Sequence, residues 1–284
     1  MSNKSRNMTD QGDMTDQDAP LRPDDLAALG IEPMSARSVV LSALLGTHPP
    51  TLPARSLVAL AELFGIQAGT TRTSLSRMVT NGELHGTGGE YGLAGRLLER
   101  QRQQDEGRAN TDGSRDGPHA PWNGDWMTAV AASDRRSMAE RRAFRNSMVG
   151  SRLAELRPDI WMRPANAPSP PRLLDVLVIV GPLDCDDLGD LVARLWPLDK
   201  IEATARRLAD ALARQRSVIG DGDTGQLPQT FMVSAAAVRF LRTEPQLPAE
   251  LAPTTWTAHE LRTIYDEFDI AFLGQLRDFF SSVH

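Results

Sequence analysis

Between Gln103 and Pro121 the chain reads QQDEGRANTDGSRDGPHAP and carries no hydrophobic period of either helix or strand. Such a segment has nothing to bury and reads as a linker. This predicts a small N-terminal domain over residues 34–102, a linker over 103–121 and a larger body beyond it. The first 33 residues hold three bases (Lys4, Arg6, Arg22) against seven acids and almost no aromatic surface. A stretch of that kind buries too little to offset the entropy of ordering, and residues 1–33 are expected to be a disordered acidic tail.

The remaining composition narrows the setting. One cysteine, Cys185, cannot close an intrachain disulfide, and no apolar run reaches the roughly 18 residues that a membrane span needs. The greasiest stretch, Leu173 to Val180, is interrupted by Asp175 and has the length of a buried strand. A cytoplasmic protein without a membrane partner is expected. The net charge of −6 speaks against a nucleic-acid partner only as a total, since phosphate binding depends on where Lys and Arg stand. Residues 34–107 carry seven arginines against six acids, so individual arginines must decide the matter.

Within 34–102, Ser35 is placed to cap a helix through Val39, Val40, Ala43 and Leu44, and Gly46 to stop it. After Pro53, the residues Leu57, Leu60, Ala61 and Phe64 repeat at the spacing of one buried helix face, ending at Gly65. A third helical pattern follows three residues later. Its Thr71, Leu75, Met78 and Val79 are expected to face the core, and Thr70, Arg72, Thr73, Ser76 and Arg77 to point away. Two short alternating runs joined by Thr87-Gly88-Gly89 then read as a hairpin. Helix, helix, short turn, helix, hairpin is the order of a winged helix-turn-helix.

The exposed face of the third helix has the chemistry of a DNA reader. Short hydroxyls (Thr70, Thr73, Ser76) allow a helix to lie deep in the major groove, while Arg72 and Arg77 can grip a guanine edge or a phosphate. A solvated helix face would look the same in isolation; the preceding helix, the tight turn and the following hairpin favour the reader.

The body over 122–195 runs strand (Trp126 to Ala132), Arg-rich helix (Arg136 to Val149), two extended pieces (Arg152 to Leu156, Ile160 to Arg163) and an apolar strand (Asp175 to Val180). That order suits a ferredoxin-like α+β unit. Residues 196–284 read as helices, the last from Ala258, with Thr257 and Glu260 as a capping box and Trp256 and Leu261 as a hydrophobic staple. The apolar face of this helix, from Leu261 to Phe279, requires either the body or a second subunit to cover it.

Several blocks together resemble the PaaX-type transcription regulators. They are Ala36-Arg37-Ser38, Leu63-Phe64-Gly65-Ile66, Arg72-Thr73-Ser74-Leu75-Ser76-Arg77-Met78-Val79, Ile160-Trp161-Met162-Arg163-Pro164, Leu195-Trp196-Pro197-Leu198-Asp199 and the run Glu244 to Pro253 with Trp256. The resemblance implies an α+β fold of three parts: a winged helix-turn-helix, a ferredoxin-like middle domain and a helical C-terminal domain. It also implies a homodimeric repressor of a catabolic operon, with a double-stranded DNA operator as partner and an acyl-CoA or aryl-CoA effector, phenylacetyl-CoA in typical members. Arg37 joins the DNA-binding set with Thr70, Arg72, Thr73, Ser76 and Arg77. Trp126, Arg135, Arg136, Trp161 and Arg163 are the candidate effector residues, because guanidinium groups take phosphate in a bidentate grip and indoles stack on aromatic acyl groups. The alternative for each is ordinary: a salt-bridged helix face for the arginines and core packing for the tryptophans.

Enzyme readings have less to stand on. The five histidines (His48, His85, His119, His259, His284) are scattered without metal-ligand spacing. No catalytic residue, metal or cofactor is expected. A metal-dependent nuclease built on Asp134, at the end of the first body strand, is the alternative from another class; a protein-binding module that has lost DNA affinity is a third.

Overall fold

The computed structural model describes residues 21–98, 101, 122–132, 136–166, 176–219 and 224–283. Helix and antiparallel sheet are mixed in an α+β arrangement with two small sheets. The linker expected over 103–121 lies outside the described residues.

The acidic tail expected over 1–33 needs correction at its end. Helix α1 spans Pro23–Ala28, with the Arg22 backbone N–H donating to the Asp25 carboxylate at 2.8 Å. Leu21 and Leu26 are buried in the main core. Two leucines with an N-terminal proline suffice here because a partner is close: Arg214 lies 3.5 Å from Asp25 and Arg207 donates to the Ala28 carbonyl at 3.1 Å. Composition averaged over 33 residues hid these two anchors.

The first layer contains α2 (Ala36–Leu45), β1 (Thr51–Pro53), α3 (Ala54–Leu63), α4 (Ala68–Thr80), β2 (Leu84–Thr87) and β3 (Glu90–Leu93). The Ser35 hydroxyl accepts from the Ser38 backbone N–H at 3.2 Å, the cap read from the sequence, and Gly46 ends α2. Strand β1 was not anticipated; it adds to β3 and completes a three-stranded sheet in the order β1-β3-β2. The β2–β3 turn rests on Gly88 and Gly89, with φ of 62° and 85°, values that a Cβ strongly disfavours. A further helix, α5, has residues 95–98 and 101 described. From it the buried Gln101 amide reaches back to the carbonyls of Leu44, Leu45 and Thr47 at 3.3, 2.9 and 3.3 Å, occupying the free end of α2.

The second sheet is formed by β4 (Asp125–Ala131), β5 (Ala154–Arg157), β6 (Ile160–Pro164) and β7 (Val176–Pro182), all antiparallel in the order β5-β6-β4-β7. Between β4 and β5 runs α6 (Met138–Gly150), started by a capping box of Ser137 and Glu140. Its Met148 and Phe144 cover one sheet face with Trp161, Met127 and Ala129, while Trp126, Ala154 and Met162 of the other face join the main core. Strand β7 departs from the expectation of a buried strand. It is a sheet edge, and Leu177, Val178, Ile179 and Val180 are 42–61% exposed. An apolar run announces burial but not whether the cover comes from the same chain.

Helices α7 (Leu188–Leu195), α8 (Leu198–Ile219), α9 (Leu227–Thr243) and α10 (Thr257–Ser282) complete the molecule. The apolar face of α10 is covered from within the chain: Leu261, Tyr265, Phe268, Phe272, Leu276 and Phe279 are buried in the main core with residues of α8 and α9. Its start differs from the expected capping box. Thr257 is the first helical residue, and its N–H and hydroxyl both donate to Glu202 of α8, at 2.8 and 2.7 Å.

Candidate functional site

Helix α4 places all five of its predicted contact residues on one side. Thr70, Arg72, Thr73, Ser76 and Arg77 are exposed, and Thr71, Leu75 and Met78 are buried beneath them. The two sets interleave because 3.6 residues per turn brings positions 71, 75 and 78 to one stripe. Val79 leaves the expected inward set and is 38% exposed. With Ser76 it borders a shallow groove whose other wall is Gly86, Thr87, Gly88 and Tyr91 of the hairpin. The Thr73 hydroxyl donates to the Gly69 carbonyl at 2.9 Å, which leaves its lone pairs facing outward.

Among the described residues neither Arg72 nor Arg77 forms an ion pair, so both guanidinium groups are available to an anionic partner. Arg37 is held differently. Its guanidinium donates to both carboxylate oxygens of Glu83, and this hydrogen bonding drives the Arg37 pKa up and the Glu83 pKa down against the opposing effect of burial. Arg55, which the sequence analysis does not single out, is exposed near the start of α3.

The five effector candidates are not brought together. Arg135, like Asp134 of the nuclease alternative, lies outside the described residues. Trp126 and Trp161 sit on opposite faces of the second sheet, each buried in a different hydrophobic cluster, and do not line a common surface. The reason is register: positions 126 and 129 of β4 point to opposite faces, and Ala129 is the partner of Trp161. Arg136 lies 4.0 Å over the Phe144 ring and 3.7 Å from Asp159; Arg145 lies 5.4 Å over Trp161 and pairs with Glu155. The ordinary reading of that arginine cluster accounts for these two.

Arg163 leads to a different group. It is 2% exposed, and burial together with the charge of Arg152 pushes its pKa down to about 10. Arg152, at φ 61°, donates to the Leu241 carbonyl at 3.1 Å, and its buried Nε has no hydrogen-bond partner among the described residues. Arg262 reaches the same carbonyl at 3.4 Å and pairs with the buried Glu244 at 2.8 Å. Burial lowers the Arg152 pKa, Glu244 opposes that and Arg262 adds to it. Three guanidinium groups thus gather where the second sheet meets α9 and α10. Sequence reasoning missed Arg152 and Arg262, which stand 110 positions apart and share no motif.

Among the described residues no group of histidine, cysteine and acidic side chains could hold a metal ion, and no helix is long and apolar enough to cross a membrane.

No curated protein matches the chain. Among solved structures, the uncharacterized protein Rv0674 from Mycobacterium tuberculosis is 34% identical with a TM-score of 0.63; the match covers 86% of this chain and 98% of that one. The family model of the PaaX-like proteins matches residues 35–97, the segment that holds α2, α3, α4 and the hairpin. With this match and a full-length relative of that similarity, the chain belongs to the PaaX-like protein family.

Proposed function

We propose that this protein is a cytoplasmic, DNA-binding transcription regulator, as membership of the PaaX-like family suggests, and that it represses a catabolic operon as a homodimer. Residues 34–102 act as a winged helix-turn-helix, with α4 entering the major groove. The observation that carries this reading is the exposed row Thr70, Arg72, Thr73, Ser76 and Arg77, backed by a buried stripe and flanked by α3 and the hairpin. Arg37 contributes only if phosphate displaces Glu83.

Residues 122–195 form the ferredoxin-like middle domain, a reading supported by the strand order β5-β6-β4-β7 with α6 across one face. The exposed apolar edge β7 supports dimerisation through that domain, since an uncovered edge of this kind invites pairing. Residues 196–284 form the helical domain. The effector is an acyl-CoA or aryl-CoA, of the phenylacetyl-CoA type, and its anionic end is best served by the gathering of Arg152, Arg163 and Arg262.

Binding of the intact protein to its operator, measured at several salt concentrations, tests the reading head. Arg72→Ala and Arg77→Ala should each weaken binding: a base contact removes ~1–3 kcal/mol of discrimination, and a phosphate contact lowers the salt slope by about 1. Unchanged affinity in both folded variants would sink the assignment. Phenylacetyl-CoA should stabilise the wild-type protein and release it from the operator, and Arg152→Gln should abolish both effects.

A further inference from the structure

A DNA-reading unit joined to a body by a polar linker ordinarily moves relative to it, because few contacts cross such a boundary. Here the first layer and the helices share one continuous apolar cluster. Val39, Leu57 and Leu60 belong to it together with Phe231, Phe268 and Phe272.

The crossing point is specific. Phe64 follows α3 as its C-cap, and Gly65, Ile66 and Gln67 then make the turn into α4. The Phe64 ring meets Phe231 of α9 edge-on, with centroids 5.6 Å apart and planes at 81°. Phe231 meets Phe272 of α10 at 5.8 Å and 77°, Phe272 stacks on Phe268 at 5.7 Å, and Phe268 lies 6.2 Å from Tyr265. The column ends in polar contacts: the Tyr265 hydroxyl donates to Asp269 at 3.0 Å and lies 3.3 Å from the Ser234 hydroxyl of α9. Edge-on and offset ring pairs constrain angle as well as distance. A side chain at the turn before α4, seated in such a column, fixes the direction in which α4 leaves the body. Two other contacts join the N-terminal half to the helices: Leu273 of α10 lies beside Gly46 at the end of α2, and α1 is fastened to α8 through Asp25 and Ala28.

We propose that Phe64 is a positioning residue for operator recognition. Keyed into the aromatic column of α9 and α10, it holds α4 at a set angle to the dimer, and so makes the protein sensitive to the spacing between half-sites. This rests on the reading of α4 as a DNA contact and of the active form as a dimer. It predicts a division of labour in which Arg72 and Arg77 set affinity for a half-site and Phe64 sets tolerance to spacing.

The test uses the full chain with operators whose half-sites are separated by the native interval or by two extra base pairs, together with an isolated half-site. Two base pairs turn the second half-site by about a fifth of the helical repeat of 10–10.5. The wild-type protein should lose about tenfold or more in affinity for the expanded operator. Phe64→Ala and Phe231→Ala should each reduce that penalty to about threefold or less while half-site affinity stays within about threefold of wild type. Phe231→Ala cuts the same contact from the body side and leaves the reading head untouched, which guards against a folding defect in Phe64→Ala.

A second measurement needs no DNA. Spin labels at Glu90→Cys and Ile270→Cys in a Cys185→Ser background, diluted with unlabelled protein, should give a narrow distance distribution that broadens in both alanine variants. An unchanged distribution in both variants overturns the coupling whatever the DNA result, as does a full spacing penalty retained by both. A wild-type protein with the narrow distribution and no affinity for any duplex overturns the DNA reading of α4, and the spacing role with it.

Discussion

Gln101 shows how much can depend on one side chain outside any motif. Its amide serves three carbonyls at the end of α2 from a buried position. Gln101→Ala leaves those acceptors without that donor and should destabilise the protein by ~1–3 kcal/mol, read as a lower denaturant midpoint at unchanged slope. Arg37 and Glu83 make a pH-dependent pair. Hydrogen bonding from Arg37 lowers the folded-state pKa of Glu83 below its ordinary value. The stabilisation is therefore complete above the ordinary carboxylate range and drains away as pH falls through the lowered folded value. Melting temperatures of wild type and Glu83→Gln should differ at neutral pH and converge in acid. Legibility at this scale was uneven. The Ser35 cap and the outward set on α4 follow from spacing alone, whereas the Arg152, Arg262 and Glu244 group depends on a positive-φ residue meeting a distant helix. No local pattern encodes such a meeting.

Elements are the most legible level, and their misreadings have two causes. The helices α2, α3, α4, α6 and α8 to α10 and the strands of the second sheet are legible, because each is long enough or regular enough to show its pattern. Strand β1 has three residues and α1 has six, too short for a period to register. Strand β7 reads as a strand, but its exposed edge position does not follow from its composition, since hydrophobicity reports the burial a segment seeks and not the chain that supplies it. That error carries a prediction. Ile179 is 54% exposed, so Ile179→Lys should leave the protomer folded. If β7 is the dimer edge, the variant should be a monomer by light scattering at concentrations where the wild type is a dimer; two identical masses would exclude that edge.

For the whole molecule, the polar break at 103–121 marks a boundary along the chain, yet one apolar cluster runs from α1 through α2 and α3 into α8, α9 and α10. The sequence divides where the chain is polar, but packing joins whatever surfaces the fold brings together. The start of α10 extends this to time. The N–H and hydroxyl of its first residue, Thr257, are both taken by Glu202, which stands 55 positions earlier on α8. A helix capped from within can begin on its own; this one gains its cap only after α8 has formed and docked, which puts a long loop closure ahead of the contact. Those hydrogen bonds should then be absent from the folding transition state. Glu202→Gln is expected to accelerate unfolding while leaving the refolding rate nearly unchanged, a φ-value near zero in stopped-flow kinetics. The last helix of the chain would thus be among the last parts of the molecule to become secure, and the first to loosen when it opens.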